Sequence, residues 1–152
     1  MVTIETKSIP NKEFIPEMGT LIKEGKDVTM IVRGNSMNPA MIDRRDKITF
    51  SPFEESDLKR GALVLAVTQE LGYVAHRVIK REGDLLFLKG DGNSRGVEHA
   101  YVGDVLGIAT HLTRKNRDIS LDSTGWRVYS WIWMALSPFR RYILWLWRKI
   151  NL

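Results

Sequence analysis

Ser36 lies in the run Arg33-Gly34-Asn35-Ser36-Met37-Asn38-Pro39, directly after the apolar stretch Val28-Thr29-Met30-Ile31-Val32. That stretch has strand character, because β-branched side chains suit a pleated, half-buried surface. A serine lifted off a strand end on a tight turn exposes its hydroxyl to a substrate and can aim its own N–H at a developing oxyanion. The same residue types also make an ordinary polar turn before a proline, so the run alone leaves both readings open. A serine nucleophile needs a base at neutral pH. The candidates are His76, His99, His111 and any lysine that is buried. His76 sits in Tyr73-Val74-Ala75-His76-Arg77-Val78-Ile79, where a period of two puts Val74, His76 and Val78 on one face and Arg77 on the other. A histidine on an apolar face is a satisfied core residue or a general base, and Arg77 is expected to be structural. Asp91, in Lys89-Gly90-Asp91-Gly92-Asn93, offers a carboxylate that could orient His76 and stabilise its imidazolium. Asp and Gly also favour such turns without any chemistry.

Four segments in order resemble the boxes of the type I signal peptidases, serine peptidases that share a β-rich catalytic fold with the self-cleaving SOS-type repressors. Gly34-Asn35-Ser36-Met37-Asn38-Pro39 is similar to the nucleophile box, whose core is Ser-Met-x-Pro. Asp46-Lys47-Ile48 is similar to the Gly-Asp-x-Val box, and His76-Arg77-Val78 to the Lys-Arg-Val base segment. Histidine at the base position is similar to the archaeal and endoplasmic-reticulum branch, as is Lys89-Gly90-Asp91-Gly92-Asn93 to its Lys-Gly-Asp-Asn-Asn. The resemblance spans roughly residues 28 to 108 and becomes specific through the order of the boxes. It implies Ser36 as nucleophile, His76 as base and Asp91 as the orienting acid. Gly34, Asn35, Met37 and Pro39 would form the nucleophile turn and substrate cleft. The branch with histidine has further aspartates five and six positions after the first; here those positions are Gly96 and Val97, and the next acid is Glu98. The third catalytic role therefore lies between Asp91 and Glu98. Gly34 stands where many members have Ser or Thr, so a second oxyanion donor must come from elsewhere, and Arg45 replaces the glycine before the box aspartate.

These residues need a scaffold, and the pattern around them is mostly β with some helix, an α+β domain. Asn11 could cap a helix over about 12–23, with Phe14, Met18, Leu21 and Ile22 on one face. Strands are expected at 28–32, 47–50, 62–67, 73–79, 85–87 and 102–109, with Gly83-Asp84 as a hairpin turn. Residues 1–10 read as a loose arm. The expected organisation is an N-terminal arm and helix over 1–27, a β-rich catalytic domain over 28–122 and a helical tail over 123–152. A chain of 152 residues can bury one sizeable core, and the absence of cysteine excludes disulfides, thiolate metal sites and a cysteine nucleophile.

Net charge is +5, and its distribution is uneven. No acidic residue follows Asp122, while Arg127, Arg140, Arg141, Arg148 and Lys149 do, and all five tryptophans lie in the same tail. Val128–Leu136 is too short to span a bilayer, which takes about 20 residues. On a helical wheel Tyr142, Ile143, Leu146, Trp147 and Ile150 share one face, with Arg140, Arg141, Arg148 and Lys149 on the other side. That pattern predicts an interfacial helix, so residues 126–150 are expected on a membrane surface; the competing expectation is a helix packed on the domain or on a second subunit. No charged-then-apolar signal segment opens the sequence, which suggests a cytoplasmic protein held at the inner membrane face. Spacing among Glu98, His99, Asp104 and His111 suggests no metal site, no phosphate loop or other cofactor signature is present, and nucleic acid is not an expected partner. The expected function is a signal-peptidase-like serine endopeptidase that removes a leader or signal segment from a peptide or protein. The alternative is an inactive membrane-surface or partner-binding module that keeps the fold.

Overall fold

Short β-branched and aromatic runs separated by turn residues pair as antiparallel neighbours. In the computed structural model, which describes residues 11–32, 37–38, 41–93 and 96–151 and side chains from residue 15 onward, they form one curled sheet. Helix α1 (Asn11–Lys23) precedes β1 (Val28–Ile31) and β2 (Asp46–Ser51). Then come β3 (Leu63–Thr68), β4 (Gly72–Glu82), β5 (Leu85–Lys89), β6 (Glu98–Tyr101), β7 (Val105–Arg114) and β8 (Arg117–Ser120). Helices α2 (Thr124–Ala135) and α3 (Arg140–Ile150) close the chain. Strand order is β1-β2-β7-β3-β4-β5-β6, with β8 beside β7.

The long strand β7 is the hinge of this topology. One edge pairs with β2, and the other is shared by β3 over Val105–Ile108 and β8 over His111–Arg114. Register shifts at Thr49/Phe50, Leu65/Ala66 and Val78/Lys80 bend the strands and let the sheet curl. Leu63 and Leu65 enter one core with Met18, Ile22 and Phe50, while Val64 and Ala66 enter a second with Val78, Leu86 and Leu88. Both faces of β3 are therefore buried, which is why its sequence is a continuous apolar run rather than an alternating one. Met18 and Ile22 bring α1 onto the first core with Leu21 packed beside them, as expected; the Phe14 side chain and the arm at 1–10 lie outside the described residues.

The mostly β, α+β expectation is met, with one N-terminal helix and a helical C-terminal tail. Three local expectations need correction. Asn11 lies within helix α1 rather than capping it. The last core strand begins at Val105, after a 3-10 turn at Val102–Asp104, and runs on to Arg114. Strands β6 and β8 were not expected, because Glu98-His99-Ala100-Tyr101 and Arg117-Asp118-Ile119-Ser120 are short and polar and take their strand form from their neighbours' pairing.

Gly107 lets α1 approach β7. A Cβ there would lie 2.9 Å from Ile22 Cδ1 and 3.2 Å from Phe50 Cβ. Gly107→Ala is expected to cost about 1–3 kcal/mol through overpacking. Gly103→Ala, which would meet nothing within 4 Å, should change stability by less than about 0.5 kcal/mol. Urea unfolding midpoints of the two variants check this.

Candidate active site

Asp46 organises the turn that follows the nucleophile box. Its side chain is fully buried, and Oδ2 accepts the Ile42 N–H at 2.9 Å. Arg45 Nε donates to Oδ1 at 2.8 Å, and Arg114 reaches across from β7 at 3.3 Å. The Val32 N–H donates to the Asp46 carbonyl at 2.9 Å, and the Arg44 N–H to the Val32 carbonyl at 2.7 Å. The exit of β1 and the entry of β2 are thus tied together around the box. Arg45, where the resemblance leads one to expect glycine, places a guanidinium on this carboxylate. Burial alone would raise the Asp46 pKa, but hydrogen bonds from Arg45, Ile42 and Arg114 outweigh it and hold the group below its ordinary range. Gly34, Asn35, Ser36 and Pro39 lie outside the described residues.

Alternation along β4 sends His76 and Arg77 to opposite faces. His76 shares its face with Val78, whose cross-strand partner on β5 is Leu88, which in turn pairs with Glu98 on β6. That register brings Glu98 Oε1 into a hydrogen bond with His76 Nδ1, with the two residues 2% and 3% exposed. Arg77 faces the other way and is fully buried. Its Nε donates to Asp91 Oδ1 at 2.8 Å, one terminal nitrogen to Asp91 Oδ2 at 2.7 Å, and the other to the Gly61 carbonyl at 3.1 Å. This is the planar two-bond fork that suits guanidinium and carboxylate. Burial alone would lower the Arg77 pKa, but Asp91 outweighs it and the pKa rises.

Asp91 therefore does not orient His76, contrary to the first expectation from sequence; Glu98 does. The cause is register. Lys89 pairs with Arg77, so the turn after β5 continues on the Arg77 side, while Glu98 enters on the His76 side. Arg77 is structural, as expected. The Asp91 N–H donates to Met37 Sδ at 3.3 Å, fastening the residue after Ser36 to this turn.

The tail also converges on Asp91, which the sequence did not reveal. Tyr129 Oη donates to Asp91 Oδ2 at 3.4 Å, and Trp133 Nε1 to the Asp91 carbonyl at 3.0 Å. Burial, with the Asp91 charge beside it, pushes the Tyr129 phenol well above its usual range. Arg140 stacks over the Trp133 ring at 5.3 Å, donates to the Trp133 carbonyl at 3.3 Å and is 2% exposed. The helical wheel grouped Arg140 with Arg141, Arg148 and Lys149 on the polar side of α3; it is instead buried beside Trp133, and burial lowers its pKa. The signal available in sequence was the spacing of Trp126, Tyr129, Ser130 and Trp133, which is the i, i+3, i+4, i+7 pattern of a packed stripe. Lys89 is 9% exposed, and its pKa is lowered by burial first and the nearby Arg140 charge second, with Glu98 opposing.

The other histidines are occupied elsewhere: His99 with Glu70 at 2.8 Å and His111 with Thr110 at 3.1 Å. Among the described residues no group of three or more His, Cys, Asp or Glu side chains is placed to hold a metal ion, and no helix is long and apolar enough to cross a membrane. No protein-family model matches this chain, and no curated protein matches it, so the box resemblance stands on the residues alone.

Two outcomes follow from these contacts. Asp91→Ala leaves Arg77 buried and unpaired and should cost about 3–5 kcal/mol, measured by denaturant unfolding. Asp46 has a folded pKa below its unfolded one, so its contribution is fully present above the unfolded value and is lost as pH falls through the folded one. Asp46→Asn should accordingly flatten the acid side of a stability-versus-pH curve.

Proposed function

We propose that this chain is a serine endopeptidase of the signal-peptidase type, with Ser36 as nucleophile, His76 as general base and Glu98 as the acid that orients the base. The buried His76–Glu98 hydrogen bond carries this reading. In this reading the Glu98 carboxylate accepts from Nδ1–H, which would leave Nε2 as the nitrogen that exchanges a proton. Ser36 Oγ would attack the scissile carbonyl as its proton passes to His76 Nε2. The resulting imidazolium would sit beside the Glu98 charge, and His76 would then give the proton to the leaving amine. Water, activated by the same nitrogen, would hydrolyse the acyl-enzyme. The bond between Met37 and the Asp91 turn supports the reading, because it ties the residue next to Ser36 to the turn held by Arg77, the neighbour of His76.

The substrate would be an extended leader segment added as a strand at the cleft edge, with a small residue at the cleaved position as the resemblance implies. Lys89, a largely buried amine with a lowered pKa, is the competing base.

A fluorophosphonate probe tests the assignment. Wild-type protein should be labelled on Ser36. Ser36→Ala and His76→Ala should each abolish labelling while the protein stays folded, because the pair acts as a unit. Glu98→Gln should slow it by on the order of 10²–10⁴-fold, and Lys89→Met should leave it nearly unchanged. If Lys89→Met abolishes labelling and His76→Ala does not, Lys89 is the base. A folded wild type that never labels would favour a binding module that keeps the fold.

A further inference from the structure

Both tail helices are two-sided. On α2, Ser130 and Trp133 are buried, while Val128, Trp131 and Ile132 on the opposite face are 50%, 68% and 44% exposed. On α3, Arg140 and Leu144 are buried, while Tyr142, Trp145 and Leu146 are 58%, 58% and 54% exposed. Phe139 in the connecting turn and Ile150 at the end of α3 are exposed as well. A helix that packs by one stripe ordinarily turns charge to solvent on the other. Here the outer face is apolar and aromatic, and elsewhere among the described residues only Leu71, Val97 and Tyr101 are large hydrophobics exposed to this degree.

Charge says what covers this face. Arg127, Arg141, Arg148 and Lys149 are exposed around it, and no acidic residue follows Asp122. The Arg141 guanidinium lies 4.6 Å over the Tyr142 ring and the Lys149 ammonium 4.3 Å over the Trp145 ring, so the cations sit within the aromatic patch. A second copy of the chain would bring like charges together across such a patch. An anionic bilayer instead offers apolar depth for the aliphatic residues, an interface for Trp and Tyr, and negative headgroups for the cations. Helix α3 has 11 residues, about 16 Å of length against roughly 30 Å of hydrocarbon, so it lies along the surface.

We infer that the outer face of α2 and α3 docks the protein on an anionic lipid bilayer, while the inner face of α2 holds Asp91. The inference does not depend on the peptidase assignment. The full chain should sediment with vesicles of phosphatidylcholine and phosphatidylglycerol and at least tenfold more weakly with phosphatidylcholine alone. Raised salt should weaken the binding several-fold without abolishing it. The double variant Trp131→Glu and Trp145→Glu, with both positions exposed and the unfolding midpoint unchanged, should bind at least tenfold less; Arg141→Gln with Lys149→Gln should lose several-fold. Equal binding to the two vesicle types, or none to either, overturns the inference. So does a wild-type dimer in light scattering that the Trp131→Glu, Trp145→Glu variant converts to monomer, because the face would then belong to a second copy.

Discussion

The buried ion pair between Arg77 and Asp91 is the constraint on which the rest of the structure turns. Removing two such charges from water costs several kcal/mol per ion unless geometry is good and the remaining donors and acceptors are met. The two-bond fork, the Gly61 carbonyl, the Tyr129 hydroxyl and the Trp133 indole meet them. The partners come from several separate parts of the chain. Satisfying this ion pair and the Asp91 main chain therefore commits the centre of β4, the loop before β3, the turn after β5 and the helix α2 to a single arrangement. Met37, held by the Asp91 N–H, adds the segment next to Ser36 to the same knot.

Strand β4 separates two buried pairs by alternation alone. One face of it presents Arg77 to the Asp91 knot, and the adjacent residue presents His76 to Glu98. A histidine paired through Nδ1 has a fixed tautomer and ring orientation. In the proposed mechanism the two neighbouring pairs have separate tasks: one holds the turn and tail in place, the other sets the proton-accepting nitrogen. The tail connects to this arrangement through α2, whose inner stripe touches Asp91 and whose outer stripe is apolar and ringed with cations. In the proposed reading, attachment to an anionic surface and support of the site would be two sides of one helix.

Much of the frame was legible in sequence because it depends on local signals. The apolar run at 62–67 told of a buried strand, and the Gly83-Asp84 pair marked the β4–β5 hairpin. The alternation of His76 and Arg77 told which of the two would be structural. The choice between Asp91 and Glu98 was not legible, because it rests on the cross-strand register of β6. That strand is four residues long and polar, and it forms only by pairing with β5. The burial of Arg140 was hidden for a similar reason. A helical wheel orders the faces of α3 but does not tell which of them meets the domain, and a guanidinium stacked on Trp133 looks, in sequence, like one more solvated charge.

His76 is held by Glu98 through Nδ1, and Asp91 is paired with Arg77 instead. Proton NMR of the folded protein tests it most directly, since an imidazole N–H donated to a buried carboxylate is protected from exchange and strongly deshielded. A far-downfield resonance correlated with ¹⁵N of His76 Nδ1 is expected, and it should disappear in Glu98→Gln with the fold intact. A resonance that survives that substitution, or a His76 ring protonated only at Nε2, would contradict it.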